Sequence, residues 1–522
     1  MKKYIIIAFI TLFIINTGCD PNRVDTPFAG QTEATYFTNV VEFRSNLVTV
    51  YAKLNNYYFY NIGWGANWVQ GTWLLPGDDL TETDGARTEV ELFDGSLNPT
   101  NPRIESVFTT SYEIIARANV TIDKVNTVDY SAFDGKEEIP QMKGEALFLR
   151  GYAYFTLFNV FGNVPIVAQR IVTQAATNTP KSDKLDVLNQ VIADATEALA
   201  LVPESWPDNY KGRVTKNAAR GLLAKALVFR ADYTKTPADY TAALSVFNTI
   251  TASLTANYTD NFSATKENNE ESLFEIQASS PTSGVDNIFL YNDGPWRGVE
   301  NMSIYRGYMT KNGSGAATLS STKFIITKKL LNSFGTDPRI SFFLEADDGF
   351  QGLLFQKYTK AGLEMPTEPF ASSANNERVL RYADLKLLAA EALLKTGSIG
   401  EAIKQVNDIR TRARSWTLAA GIGDGTIPAD YSTAETNPTT VMQWIMNERF
   451  VEQAGEGQRW WDLKRWHVSG DINLTGWDGS DQYFSTHLSS PCQFDVNKHL
   501  LFPIPQSEID RNSAIKDNNP GY

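Results

Sequence analysis

The sequence predicts an all-α protein: a tetratricopeptide-repeat-type helical scaffold carrying large irregular loop excursions and minor β-hairpins. Two segments, 218–250 and 381–413, each read as helix, short turn, helix over about the 34 residues of one such repeat. Small side chains recur where paired helices must approach: Ala224 and Ala226 with Ala242 and Ala243, then Ala389, Ala390 and Ala392 with Ala402. Between these segments, 258–375 is rich in Gly, Ser, Thr and Asn, lacks a helical period and holds only short strand-like runs at 272–279 and 353–358. A stack of helix pairs also accommodates 522 residues. Single cores stop growing at about 250–300 residues, but each pair in a stack packs only on its neighbours.

The chain opens with Lys2 and Lys3, then an apolar run at 4–15. That run is shorter than the roughly 20 residues that span a bilayer, so 1–18 reads as a secretory signal peptide. It ends in Asn16-Thr17-Gly18-Cys19, small residues before a cysteine as in a bacterial lipobox. Cys19 is therefore the expected lipidation site, 19–31 a lipidated tether to the membrane, and 32–522 a single domain. Helices are expected over 33–60, 102–128, 142–161 and from Asp183 to about 201. In 102–128, Phe108, Tyr112, Ile115, Asn119 and Ile122 recur at three- and four-residue spacing. In 142–161, Ala146, Leu149, Ala153 and Leu157 form one stripe, stopped by Gly162-Asn163-Val164-Pro165. Scaffold helices thus occupy about 102–252 and 376–466. The stretch 63–100 shows turn chemistry throughout. Loops on a rigid frame, here about 61–100 and 258–375, are where binding residues concentrate.

The net charge is −13 and no Lys/Arg-rich block stands against it, which argues against nucleic acid as a partner. No phosphate-binding glycine loop, zinc-binding H-E-x-x-H or G-x-S-x-G nucleophile motif occurs, and His467, His487 and His499 share no metal-ligand spacing. No cofactor and no metal are predicted. Once Cys19 is lipidated, Cys492 has no disulfide partner and reads as a buried structural thiol. The unusual quantity is 12% aromatic residues, with 11 Trp and 22 Tyr, side chains that fill cores and also stack on sugar rings and anchor interfaces.

One stretch, NERFVEQAGEGQRWWDLKRW at 447–466, concentrates ionisable groups. Glu448, Glu452 and Glu456 are four residues apart, about 6 Å between neighbours on a helix. Glycoside hydrolysis uses carboxyls about 5–10 Å apart, but those must flank the bond, and neighbours on one helix face project from the same side. Gly455 and Gly457 end the helix, and Arg459, Lys464 and Arg465 supply counter-charges in the next turn. A salt-bridged helix–turn–helix joint with Trp460, Leu463 and Trp466 packed inward accounts for the pattern without catalysis.

The same stretch resembles the E-R-x-x-E-x-x-x-E-G-x-R-x-x-D-L-x-R-W signature of the SusD/RagB outer-membrane lipoproteins, through Glu448, Arg449, Glu452, Glu456, Gly457, Arg459, Asp462, Leu463, Arg465 and Trp466. The closing LFPIPQSEIDRNSAIKDNNPGY (501–522) is similar to that family's C-terminus, with Asn518 in place of the common Gln. Gly144-Glu145-Ala146, Phe148-Leu149-Arg150, Tyr154-Phe155 and Gly162-Asn163-Val164-Pro165 match a third family block, with Gly151 replacing Ala. The resemblance implies a SusD-like fold without catalytic residues. It also implies a lipid-anchored protein on the cell surface, at the outer membrane, that captures oligosaccharides and delivers them to a SusC-type TonB-dependent transporter. Peptide capture, as in the RagB branch, is the alternative; a surface glycoside hydrolase is the less favoured one.

Two loop stretches combine aromatics with glycine and polar groups outside any helical period: 63–73 and 291–308. In them Trp64, Trp68, Trp296 and Tyr305 are expected to stack on pyranose faces, and Asn67, Asp293 and Arg297 to hydrogen-bond hydroxyls. Trp73, followed by Leu74-Leu75 and the Asp78-Asp79 turn, reads as structural.

Overall fold

The computed structural model describes residues 35–57, 69, 71–82, 88–277, 324–346, 353–355, 357–358, 375–477 and 491–522. Among these, ten helices of eleven residues or more form the scaffold: α1 (Val40–Leu54), α2 (Pro102–Thr127), α3 (Glu138–Val160), α4 (Lys184–Leu201), α5 (Lys216–Thr234), α6 (Pro237–Phe247), α7 (Tyr382–Lys395), α8 (Ile399–Ala419), α9 (Pro438–Glu452) and α10 (Arg459–Ser469). From α2 to α9 each packs on the next, so the array is continuous through the α6–α7 contact, where Phe247 and Tyr382 stack in parallel at 5.7 Å. The expected all-α architecture is the one observed.

Local chemistry explains the helix limits. Asn101 accepts from the N–H groups of Arg103 and Ile104, and Pro102 takes the first turn, where its missing N–H is not needed. Asp183 caps α4 and Thr215 caps α5 in the same way. Helix α3 begins one turn before Met142, because Pro140 fits within a first turn. It is buried nearly all round, as a helix at the centre of a stack must be. Gly144 is needed there, since a Cβ would stand 2.8 Å from Leu201 and Val202 at the end of α4. Gly162, at φ +67°, turns the chain out of α3 and lets its N–H reach the Leu157 and Phe158 carbonyls. The alanines of both expected helix pairs are buried, except Ala242 at the edge of its interface.

The C-terminal segment closes on this same end of α3. Asn519 donates to the carbonyls of Phe161 and Phe502, and Asn518 pairs with both backbone groups of Ile504. Two of the sequence blocks are thus one contact.

The structure corrects the sequence reading in four places. Residue 381 is not the start of a helix: β6 (Glu377–Arg381) pairs antiparallel with β2 (Ser272–Ile276), and α7 follows at Tyr382. A strand buried on every residue yet carrying Arg378 and Arg381 has no period-two signature, because its charges are satisfied by distant partners. The stretch 63–100 is not turns throughout; it includes short helices at Gly71–Leu74 and Thr88–Glu91 and strand β1 (Leu80–Glu82). The expected helix at 33–60 is confined to α1 and a 3-10 turn at Asn55–Tyr57 among the described residues. Cys492 is half-buried against the main core, not enclosed. Strand β1 belongs to a four-stranded antiparallel sheet in the order β1-β3-β5-β4, with β3 at Phe324–Ile326, β4 at Leu344–Ala346 and β5 at Leu353–Phe355.

Candidate functional site

Glu448, Glu452 and Glu456 lie at 2%, 0% and 7% exposure, so no substrate reaches them. Their counter-charges do not come from the next turn, as the sequence suggests. Glu448 accepts from Arg339 at 2.7 Å and Arg410 at 2.9 Å. Glu452 lies between Arg412 at 2.5 Å and Arg381 at 3.1 Å. Glu456, beyond the end of α9, accepts from Arg381 at 2.8 Å and from Lys357. Arg381 also reaches Glu271, which Arg412 holds from the other side at 3.0 Å. Burial alone would raise the Glu456 pKa, but the Arg381 and Lys357 charges outweigh it and lower it. A second lattice adjoins the first. Arg449 joins Asp384 and Asp462, while Arg465 joins Asp462, Asp232 and Glu391, and the Trp466 indole donates to Glu391.

Arg459 turns the other way, to Asp78, and Lys464 reaches the Asn159 carbonyl at the end of α3. The joint does bury Trp460, Leu463 and Trp466 as expected. Its acids are paired and enclosed. A general acid or base must touch the group it protonates, and these touch only arginines and lysines.

The expected ligand residues Trp64, Asn67, Trp68, Asp293, Trp296, Arg297 and Tyr305 lie outside the described residues, as does Cys19. The elements C-terminal to each expected loop are described, and they meet. Residues 63–73 run into the short helix at Gly71–Leu74 and then β1; residues 291–308 precede β3. These strands are direct neighbours, with Leu80 opposite Ile326 and Glu82 opposite Phe324. Trp73 is structural, as expected: it is buried, set edge-on to Tyr57 at 5.9 Å and against Trp461 at 6.0 Å.

The turn before β1 ties this sheet to the joint. Asp78 is buried; desolvation alone would raise its pKa, but Arg459 and Lys329 outweigh it and lower it to about 2. Its neighbour Asp79 accepts from the Gly455 N–H at 2.9 Å, and its other oxygen has no hydrogen-bond partner. Burial, with the Asp78 charge adding to it, raises Asp79 to about 6. Thr327 closes the turn by donating its hydroxyl to the Asp78 carbonyl. Sequence reasoning missed Arg339, Arg381, Arg410, Arg412 and Lys357 in the lattice. Their partners lie dozens of residues away, and no spacing rule reports such pairs. Among the described residues no cluster of His, Cys, Asp or Glu forms a metal site, and no helix is long and apolar enough to cross a membrane.

Comparison with known proteins gives the class. The profile of the SusD family matches residues 345–522, which include the joint and the closing segment. A second profile, described as starch-binding and associating with the outer membrane, matches 78–227, which include α2 to α4. SusD-like protein P2 of Formosa agariphila is 27% identical over the whole of both chains. Among solved structures, a laminarin-binding SusD-like protein superposes with a TM-score of 0.71 at 22% identity, over 93% of this chain and all of that one. Surface glycan-binding protein A of Bacteroides fluxus does so at 0.69 and 21%, over 94% of this chain and all of that one. The fold and the two profiles define a helical-repeat protein of the SusD-like class, a family of binding proteins described as associating with the outer membrane. The chain belongs to the SusD/RagB family.

Proposed function

We propose that this chain is a cell-surface lipoprotein that captures oligosaccharides and passes them to a SusC-type TonB-dependent transporter. The observation that carries the reading is its full-length similarity to proteins of one fold, two of them named for binding laminarin or surface glycans. The paired, enclosed joint supports it, because the carboxylate run that most resembles an acid–base centre in sequence is out of a substrate's reach. In this reading Trp64, Trp68, Trp296 and Tyr305 stack on pyranose rings, Asn67, Asp293 and Arg297 bind hydroxyls, and Cys19 carries the lipid. Residues 1–18 are then a removed signal peptide, and the segments at about 61–100 and 258–375 face the ligand.

Isothermal titration against neutral oligosaccharides, β-glucan fragments included, and against peptides tests the ligand class. Trp64→Ala with Trp296→Ala should weaken glycan binding roughly tenfold, the stacking of two rings, at an unchanged melting temperature. Unchanged affinity moves the site elsewhere, and saturable peptide binding without glycan binding replaces the reading. Cys19→Ala should shift the protein from the outer-membrane fraction to the soluble periplasm; retention in the membrane fraction would remove the anchor from the proposal.

A further inference from the structure

The connection from α4 to α5 carries an aromatic cleft that neither the joint nor the expected ligand residues of 63–73 and 291–308 line. The cleft, about 350 Å³, lies between this connection and the segment 268–275 that leads into β2. Small-molecule sites span roughly 300–1,000 Å³, so it holds one or two sugar rings. Trp206 lines it and is half-exposed. The ring is fixed: its Nε1 donates to the Val214 carbonyl at 2.8 Å, and the Arg213 guanidinium covers it 3.8 Å from the ring centre. Arg213 is itself clamped by Glu138 and Glu145, so the indole is held in place before any ligand arrives.

The polar groups around it fall into two sets. Asn217 and Asn269 are committed to hydrogen bonds within the fold. Asp208, Lys211 and Glu270 are exposed and enter no ion pair or side-chain hydrogen bond among the described residues. A rigid indole beside uncommitted carboxylates and an amine is the arrangement that binds a sugar: the C–H face stacks on the ring, and carboxylates accept from vicinal hydroxyls. Glu204 is neutralised by Arg220, so the uncommitted groups are two carboxylates against one amine, a balance that favours a neutral sugar over an anionic one.

We propose that the Trp206 cleft is a second, weaker binding site for neutral oligosaccharide, built from residues other than the expected ligand residues of 63–73 and 291–308. The proposal rests on the glycan reading above. Its test is isothermal titration of a short neutral oligosaccharide into the wild type, Trp206→Ala, Asp208→Ala/Glu270→Ala and Trp64→Ala/Trp296→Ala. The wild type should show a tight and a weak phase. Trp206→Ala should weaken only the weak phase by about fivefold, the loss of one stacked ring. The loop double variant should lose the tight phase and keep the weak one. A uronic-acid oligomer should not compete in the weak phase. Should Trp206→Ala fail to fold, the exposed Asp208/Glu270 pair decides in its place. A single phase insensitive to both cleft variants overturns this proposal and leaves the glycan reading standing. Failure of every glycan to bind the wild type overturns both.

Discussion

The joint between α9 and α10 and the connection between α4 and α5 are made of the same residue types, Trp, Arg, Asp and Glu, yet their physical situations are opposite. In the joint, Glu448, Glu452, Glu456, Asp462 and Arg465 are enclosed and held by partners from distant elements. Along the cleft at the connection, Asp208 and Lys211, with Glu270 from the segment facing them, stand in solvent without such partners, beside a fixed ring. Carboxylates and tryptophans therefore do not mark a site by their presence. What marks one is a fixed frame with polar capacity left over, and only the connection has that.

The largest break of this contrast comes from the joint. Removing one partner of a buried pair leaves the other charge enclosed, at a cost of about 3–5 kcal/mol. Glu456→Gln strands Lys357 and removes one of the carboxylates on Arg381, and Asp462→Asn removes the carboxylate that Arg449 and Arg465 share, leaving each short of a counter-charge. Both variants should melt well below the wild type while the fraction that remains folded binds ligand with native affinity. A loss of affinity in folded protein at unchanged melting temperature would make the joint part of the site.

The neighbouring aspartates of the turn before β1 sharpen the same point at smaller scale, through pH. Asp78 has a folded pKa near 2, below its unfolded value of about 3.8, so its stabilisation is present above pH 3.8 and lost as pH falls through 2. Asp79 has a folded pKa near 6, above its unfolded value. Its burial therefore costs nothing below pH 3.8, and the cost grows as pH rises through 6. Asp78→Asn should lower stability at pH 7 by about 2 kcal/mol in its pH-dependent part, and the deficit should shrink toward pH 2. Asp79→Asn keeps an acceptor for the Gly455 N–H and removes the charge, so it should raise stability at pH 7 and have no such effect at pH 3.5. Denaturant melts across that range read both. Equal losses at pH 7 would show that the Asp79 charge is compensated as well as that of Asp78, and the contrast between the two would fail.

How much of this was legible depends on range. Some helix limits were readable because their causes are local: Asp183 at the start of α4 and Gly162 at the end of α3 each act within a turn of where they stand. The structural role of Trp73 and the inward face of the joint were readable for the same reason. The partners of the glutamates were not. Arg381 and Glu456 are 75 residues apart, and Arg339 and Glu448 are 109 apart. A buried arginine in β6 satisfied from that far away looks, in sequence, like an exposed helix start. The expected ligand residues lie outside the described residues, so the Trp206 connection, with its Trp, Pro, Asp and Tyr in a turn, is the stretch where the same aromatic-loop signal meets described geometry.

The smallest expected effect comes from a pair that looks like the joint but lacks its surroundings. Glu401 and Lys404 on α8 approach to 2.5 Å, as close as Glu452 and Arg412, yet their side chains are 57% and 58% exposed. Water screens both charges, and holding two long side chains together costs rotamer freedom, so such pairs contribute about 0–1 kcal/mol. Glu401→Ala removes the pair and leaves Lys404 hydrated instead of stranded, so nothing is left uncompensated. The variant should melt within about 1 °C of the wild type in low salt and match it at high salt, where screening removes what remains of the attraction. A loss as large as that of Glu456→Gln would mean that distance between charges, and not their enclosure, sets the energetics of the scaffold, and the distinction between the two regions would fall.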